Sequence, residues 1–482
     1  MGLLKQLLSE TSSLGENAFY SMLNNVIYCV DQLNSEPAGL FNAKFGDPSE
    51  VLSETNPGLN VSGKLKLSHE LSYRNCAVVA PVGAGKSTIN AVGTCMNLQN
   101  ASVIIHAPSE EMVTLTTPDF IRRGFNCYIF DPHTPKNSIS INPLDFIKNE
   151  KDINKVATHL VHSSMGDKSS DPFWSLSAIG MLKTFLGLLK LQPKQYQTIG
   201  MLRYMLDGFN ANPQALHLMA TKAPPRLYTE YKALIKSNEK TLKSVLLTCT
   251  AALNLWGDNG VCKITETTTF DINKFRDTPS VLYLRNATMT SSYYQPLLSL
   301  LLEQLFTVFT EKLPTTELPL YFVIDEASTL NLPSMPLFIS NARKYKISLM
   351  LLFQALGQVY NNWGTEGGAI ILANCHNKLF YGGMDLKTSN DLSDLLGKRM
   401  VVTREGKDMI MDLMLAQDVR MLKRNEALFF CGANKPYKLD NMVPYYDNPH
   451  YRKRSQGQPF VYTNPDFDKP LPLLKLYEGK GQ

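Results

Sequence analysis

Between Val78 and Ile89 the chain reads Val-Val-Ala-Pro-Val-Gly-Ala-Gly-Lys-Ser-Thr-Ile, a stretch that leaves a fold little freedom. Cys76 to Ala80 is short, apolar and β-branched, so it predicts a strand, while Lys86 to Gln99 has helical spacing. A strand that turns through Ala80-Pro-Val-Gly-Ala-Gly-Lys86-Ser87 into a helix is the setting a phosphate-binding loop requires. Gly83 and Gly85 let successive backbone N–H groups converge on one anion, and the helix N-terminus adds favourable partial charge. Pro81, Val82, Gly83, Ala84, Gly85, Lys86, Ser87 and Thr88 are therefore the candidate nucleotide-binding residues. Lys86 carries the charge for the β- and γ-phosphates of ATP, and the Ser87 hydroxyl is a candidate ligand for Mg2+. Ala80 stands where glycine is commoner, a change of little cost at ordinary dihedrals.

Around this loop, β-branched runs alternate with helical ones. Ser102–His106 and Cys127–Phe130 predict strands with a helix near Glu110 to Arg123 between them; Ser280–Leu284, Leu320–Ile324, Ile347–Phe353 and Asn377–Tyr381 predict four more. Such alternation predicts an α/β fold with a mainly parallel sheet covered on both faces. Between about Lys151 and Trp256 only helical spacing is found, as in Ile179, Leu182, Leu186 and Leu189. The expected organisation is an N-terminal helical or linker segment over 1–60, a nucleotide-binding domain over 61–150 and 257–440, an all-α inserted domain over 151–256, and an irregular tail over 441–482. Arg399 to Lys438 reads as β-hairpins.

A chain of 482 residues exceeds what one core usually organises, in keeping with more than one domain. With 44% hydrophobic and 19% charged residues it has ordinary globular composition, and a net charge of +5 is too small to argue for nucleic acid by itself. The eight cysteines are scattered without a CxxC pair, which fits reduced thiols in a cytosolic protein. His106 and His133 have no Cys or His nearby to complete a metal set and read as structural. No run of about 18 apolar residues is found, so no membrane span is expected. The most apolar window, Pro296 to Phe309, is interrupted by Ser299, Glu303 and Gln304 and reads as a buried helix. The N-terminus suits neither a signal peptide nor, with Gln6 where Ser or Thr is needed, myristoylation.

A phosphate loop that supports hydrolysis needs an acidic second half, and Leu320-Tyr-Phe-Val-Ile-Asp325-Glu326 supplies one. Asp325 at the strand end would stand near Mg2+, and Glu326 beyond it would orient or deprotonate water. Adjacent acids at a strand end also occur as solvated caps. Gln354 closes the next strand, where an amide meets either a γ-phosphate or only solvent. Arg343 lies in a basic run that closes a helix; it is either a cation complementing the helix dipole or an arginine finger for a neighbouring subunit.

The collinear set of the phosphate loop, Asn142-Pro-Leu-Asp, Asp171-Pro-Phe-Trp174, Asp325-Glu326-Ala, Ala342-Arg-Lys-Tyr, Phe353-Gln-Ala-Leu-Gly-Gln-Val-Tyr360, Ile371 to Leu379 and Ser389 to Gly397 resembles the type IV secretion coupling protein family, the TraG/TraD-type conjugation ATPases. The likeness runs from about residue 60 to 450. It implies a RecA-like motor domain with an all-α insertion, assembled as a homo-hexamer at the membrane, that hydrolyses ATP and brings relaxase-bound single-stranded DNA or protein substrates to a secretion channel. It also implies roles: Lys86 and Ser87 on ATP and Mg2+, Asp325 and Glu326 on Mg2+ and water, Gln354 on the γ-phosphate, and Arg343 across the subunit interface. Two departures stand beside these. The transmembrane helices with which many members begin are not read here, which implies a cytoplasmic protein, or one held peripherally at the inner face of the membrane by a partner. Where the family has Asp-Pro-Lys-Gly-Glu, this chain has His106-Ala-Pro-Ser-Glu110, so those positions receive no role.

Lys232, Lys236, Lys240 and Lys243 fall on one face if their helix is unbroken, but Ser237-Asn238 can cap a new helix and split the stripe. Phosphate contact and a solvated face are both open for it, as they are for Tyr451-Arg-Lys-Arg454. No base-reading signature is found, so DNA contact would be insensitive to sequence. Two alternative functions remain beside the coupling ATPase: an FtsK/HerA-like translocase on double-stranded DNA, and a non-hydrolysing receptor for secretion substrates.

Overall fold

The computed structural model describes residues 41–165, 172–287, 290–402 and 408–476. Asp171 and the first 40 residues of the expected N-terminal segment thus lie outside the described residues. The apolar runs form a nine-stranded sheet in the order β11-β10-β7-β1-β6-β5-β2-β4-β3. Its strands are β1 (Cys76–Val79), β2 (Ser102–Ala107), β3 (Asn126–Phe130), β4 (Ser280–Arg285), β5 (Leu320–Ile324), β6 (Ile347–Phe353), β7 (Asn377–Tyr381), β10 (Ala427–Cys431) and β11 (Tyr437–Leu439). From β7 to β3 every pairing is parallel, and β10 and β11 extend one edge in antiparallel fashion. A separate antiparallel pair joins β8 (Lys398–Val402) to β9 (Asp408–Asp412).

The period of two along the central strands divides the core. Val103, Ile105, Val281, Tyr283, Tyr321, Val323, Met350 and Leu352 face one layer, which holds Val92, Met96, Met112 and Phe120. Ile104, Leu282, Phe322, Leu349 and Leu351 face the other, which is continuous with Leu182, Phe185, Leu202 and Leu206 and with Leu298 to Phe309. Both faces are buried, so the parallel strands read as near-continuous apolar runs rather than alternating ones. Phe322 meets Phe306 at 5.2 Å and Phe338 at 5.6 Å between ring centroids, and truncating it to alanine should cost about 3–5 kcal/mol.

Every regular element described between β3 and β4 is helical, including Glu150–Met165, Pro172–Lys190, Ile199–Ala211, Pro225–Ile235 and Glu239–Ala252. Asn142 pins the place where this segment leaves and returns: its side chain accepts from Leu144 N–H and donates to the carbonyls of Gln197, at 2.8 Å, and Glu266, at 3.1 Å. Asp145 of the same Asn-Pro-Leu-Asp run accepts from the Thr268 hydroxyl at 2.7 Å. Among the described residues one helix, Pro172–Lys190, is by length and composition apolar enough to cross a membrane, where the sequence reading found no such run. Its buried residues, Leu182, Phe185 and Leu189 among them, belong to the core.

The lysine stripe is split. Pro225–Ile235 ends before Lys236, and the Asn238 side chain accepts from the N–H groups of Lys240 and Thr241 to start Glu239–Ala252. Lys232 lies 4.4 Å from the centre of the Tyr228 ring, and Lys243 pairs with Glu239 at 2.7 Å.

The run Tyr451 to Arg454 is not a uniformly solvated patch. It sits on a short helix, Pro449–Arg454, with Tyr451 and the Arg454 head turned inward. Arg454 Nη2 and Nε reach the two oxygens of the buried Asp119 at 2.6 and 2.8 Å, and the Tyr451 hydroxyl accepts from Asn60 Nδ2 at 3.1 Å. Beyond it the tail stays on the body of the protein, with Phe460 N–H on the Thr117 hydroxyl and Asn464 N–H on the Lys136 carbonyl. The described cysteines are free thiols.

Candidate functional site

Parallel pairing puts the ends of β1, β5 and β6 on one edge of the sheet, and the candidate residues follow those ends. Leaving β1, the chain keeps one more ladder bond, from Ala80 N–H to the Phe353 carbonyl, and then curls. Gly83 and Gly85 have φ of 78° and 101°, conformations that strain any L side chain, and Val82 at the tip is 79% exposed. The loop is closed by Ile89 N–H on the Gly85 carbonyl at 2.8 Å and by the Thr88 hydroxyl on the same carbonyl at 3.1 Å. The first turn, Ser87–Ala91, is a widened π-type turn that continues as the α-helix Val92–Asn97. Such turns gather at functional sites.

At the loop five of the expected side chains converge. Lys86 Nζ lies 3.0 Å from Glu326 Oε1, and the Ser87 hydroxyl donates to Asp325 Oδ2 at 2.6 Å. Gln354 Nε2 donates to Glu326 Oε2 at 2.8 Å, so each Glu326 oxygen has its own partner. Glu326 has φ 53° and ψ 52°, the left-handed conformation, which for a residue with a Cβ costs roughly 1–2 kcal/mol. Strain of this kind persists where the surroundings over-determine it. Here the Thr329 hydroxyl on the Glu326 carbonyl and Glu326 N–H on Asp325 Oδ1 do so.

Burial pushes the Asp325 carboxyl above its ordinary range; the Ser87 hydrogen bond opposes this, the Glu326 charge adds to it, and Lys86 opposes it again. Ser87 and Asp325 offer hard oxygen donors side by side, a set that suits a small hard cation sharing its other positions with phosphate oxygens. Among the described residues no group of three or more His, Cys, Asp or Glu could hold a metal ion without such help.

Two residues take positioning roles that the sequence did not assign them: His106, read there only as structural, and Gln358. His106, at the end of β2, sits fully buried and donates from Nδ1 to the Asp325 carbonyl at 2.7 Å; burial pulls its pKa down to about 4, against that hydrogen bond and the Glu326 charge, so the ring is neutral. The Gln358 side chain accepts from the Gln354 backbone N–H at 2.9 Å and sets the exit from β6. The pairing of β2 with β5, opposite His106 to Ile324, is the signal that would have found the first.

Arg343 is not in this cluster. It precedes β6, at the edge where the parallel strands begin, and its guanidinium lies 3.8 Å from the Glu70 carboxylate.

Residues 48–467 match the family described as type IV secretory system conjugative DNA transfer. Over 427 residues the chain is 22% identical to protein VirD4 of Rhizobium radiobacter, covering 82% of this chain and 60% of that protein, so it spans less than two-thirds of that relative's length. Among solved structures, the plasmid coupling protein TrwB in complex with ADP and Mg2+ superposes with a TM-score of 0.66 at 16% identity, covering 85% of this chain and 96% of the other. The trigonal form of TrwBdeltaN70 in complex with sulphate gives 0.65 at 16% identity, with the same coverages. At such identity the likeness is one of fold, a RecA-like P-loop architecture with a mainly parallel sheet.

Proposed function

Since the chain belongs to the conjugative DNA transfer family of the type IV secretory system, we propose that it is an ATP-hydrolysing coupling protein. In this reading it recruits single-stranded DNA with its relaxase, or a protein substrate, and drives it toward a secretion channel as a homo-hexamer, held at the inner face of the membrane by a partner. The observation that carries it is the convergence of Lys86, Ser87, Asp325, Glu326 and Gln354 on one sheet edge, at a loop in which Gly83 and Gly85 take positive φ.

Each residue has a role that its geometry suits. The loop amides and Lys86 hold the β- and γ-phosphates. Ser87 and Asp325 hold Mg2+, which when bound supplies positive charge to the phosphate oxygens. Glu326 takes the proton from the attacking water, with Gln354 holding its second oxygen and serving as the contact to the γ-phosphate. TrwB, solved with ADP and Mg2+ and with a non-hydrolysable ATP analogue, supports the choice of ligand by its shared fold.

The test is steady-state ATP turnover with no nucleic acid, with single-stranded and with double-stranded DNA. Stimulation by single strands is expected. Stimulation by duplex alone would favour an FtsK/HerA-like translocase, and binding without turnover in any condition would favour a non-hydrolysing receptor.

A further inference from the structure

The phosphate loop forms only one wall of a cleft. On its outer side lies a hollow of about 290 Å³, lined by Ala84, Gly85 and Ile89 on one side and by Arg424, Met442, Pro444, Tyr446 and Asp447 on the other. The second wall comes from sequence more than 330 positions away, yet it is stitched to the loop. Tyr445 N–H donates to the Thr88 carbonyl at 3.1 Å, Val443 N–H to the Ser62 carbonyl at 2.7 Å, and Met442 N–H to the Asn425 carbonyl at 3.0 Å. The wall therefore keeps its place against the very turn that would face the phosphates.

Its chemistry is specific. Pro444 gives half-buried apolar surface and Tyr446 an aromatic face, 40% exposed, over a floor where Ile89 and Met442 are buried. Arg424 adds a planar cation and Asp447 a carboxylate, and among the described residues neither has an ion-pair partner. Apolar and aromatic faces with a guanidinium plane suit a flat heteroaromatic ring, and an unpaired carboxylate suits a vicinal diol. A lone carboxylate beside the loop does not favour a second phosphate.

We propose that this cleft receives the nucleoside of the nucleotide, the base against Tyr446, Pro444 and Arg424 and the ribose hydroxyls toward Asp447. The inference rests on the reading that loop 80–88 holds the phosphates. Asn425 also lines this wall, but its side-chain amide donates to the Asp440 carbonyl at 3.0 Å, so recognition is chiefly by stacking and tolerates different bases. The C-terminal segment thereby becomes half of the nucleotide site.

The experiment is calorimetric titration of the full chain, with Mg2+, using ATP, GTP and inorganic tripolyphosphate. Unmodified protein should bind ATP and GTP with similar affinity and tripolyphosphate more weakly. The double variant Arg424→Ala/Tyr446→Ala, at exposed positions that should leave the melting temperature unchanged, should lose about ten- to hundredfold in affinity for both nucleotides. Its tripolyphosphate affinity should stay as it was, and Tyr446→Phe should keep nucleotide affinity. Undiminished nucleotide binding in the double variant overturns the inference, as does a parallel loss of tripolyphosphate. Lys86→Ala separates the two readings: if it weakens all three ligands while the double variant changes nothing, the phosphate loop stands and only the cleft assignment falls. If Lys86→Ala changes none of them, both fall.

Discussion

Lys86 Nζ and Glu326 Oε1 lie 3.0 Å apart, which makes one ion pair of the cation expected to meet phosphate and the carboxylate expected to meet water. Phosphate binding has to compete with that carboxylate for Lys86. Glu326→Gln keeps the shape, relieves the competition and removes the base. It should therefore bind ATP at least as tightly as the unmodified chain while turning it over about 10²–10⁴-fold more slowly. Lys86→Ala should lose both binding and turnover. Parallel measurements of nucleotide affinity and turnover check this; near-normal turnover in Glu326→Gln would remove Glu326 from the reaction.

Asp325 carries its own pH signature. Its folded pKa is raised, chiefly by burial, so folding disfavours the ionised form. The cost is present above the raised pKa and is relieved as pH falls through it toward the ordinary carboxylate value, below which folded and unfolded chains are equally protonated. Asp325→Asn should accordingly raise the melting temperature at neutral pH, with an advantage that shrinks on acidification, and should abolish Mg2+-dependent turnover. A variant that is no more stable at neutral pH would show that the ionised carboxylate is not strained in its site.

Asp119 has the opposite sign. Burial raises its carboxyl, but the Arg454 hydrogen bonds and the charges of Arg123, Arg454 and Arg122 outweigh it and hold the group below its ordinary value. Its stabilisation is present above the ordinary carboxylate pKa and lost as pH falls through the lowered one. Arg454→Ala should cost about 1.5–3 kcal/mol and move acid unfolding to higher pH, since charge-assisted bonds are lost from a buried partner. Lysine should restore only part, having no planar fork to meet both oxygens. Melting curves across pH read both effects.

What could be read in the sequence follows from how local the physics is. Leu320–Ile324, Ile347–Phe353 and Asn377–Tyr381 are strands over the expected residues; the first two declare themselves by nearly continuous apolar runs, as strands buried on both faces do, and the third by its Leu-Phe-Tyr end. The phosphate loop was legible because glycine spacing is a backbone requirement, and so was the pairing of acids with the end of β5. His106 on the Asp325 carbonyl was not, since it depends on β2 lying beside β5 across 219 positions. Arg454 and Asp119 are separated by 335 positions, and nothing in a four-residue basic run tells which member turns inward. The lysine stripe shows the reverse case: Asn238, a local cap, decided between two readings that spacing alone left open.

Arg343 supplies the last prediction. It precedes β6 where the parallel strands begin, whereas the phosphate loop, Asp325 and Gln354 follow the strands' far ends, so it cannot serve the γ-phosphate of its own chain. Its pairing with Glu70 at 3.8 Å is exposed on both sides and would hold it only weakly. If Arg343 is a finger it acts in a neighbour's site, and specific turnover should rise with protein concentration or with single-stranded DNA that nucleates a ring. Arg343→Ala should then cut turnover about 10³-fold or more with little change in nucleotide affinity, because a finger meets charge that develops in the transition state. Mixing Arg343→Ala with Lys86→Ala subunits gives some interfaces an intact loop facing an intact arginine, and part of the activity should return. If mixed oligomers form and remain as inactive as either variant, or if Arg343→Ala alone is fully active, Arg343 is a helix-ending cation and another residue must supply the charge.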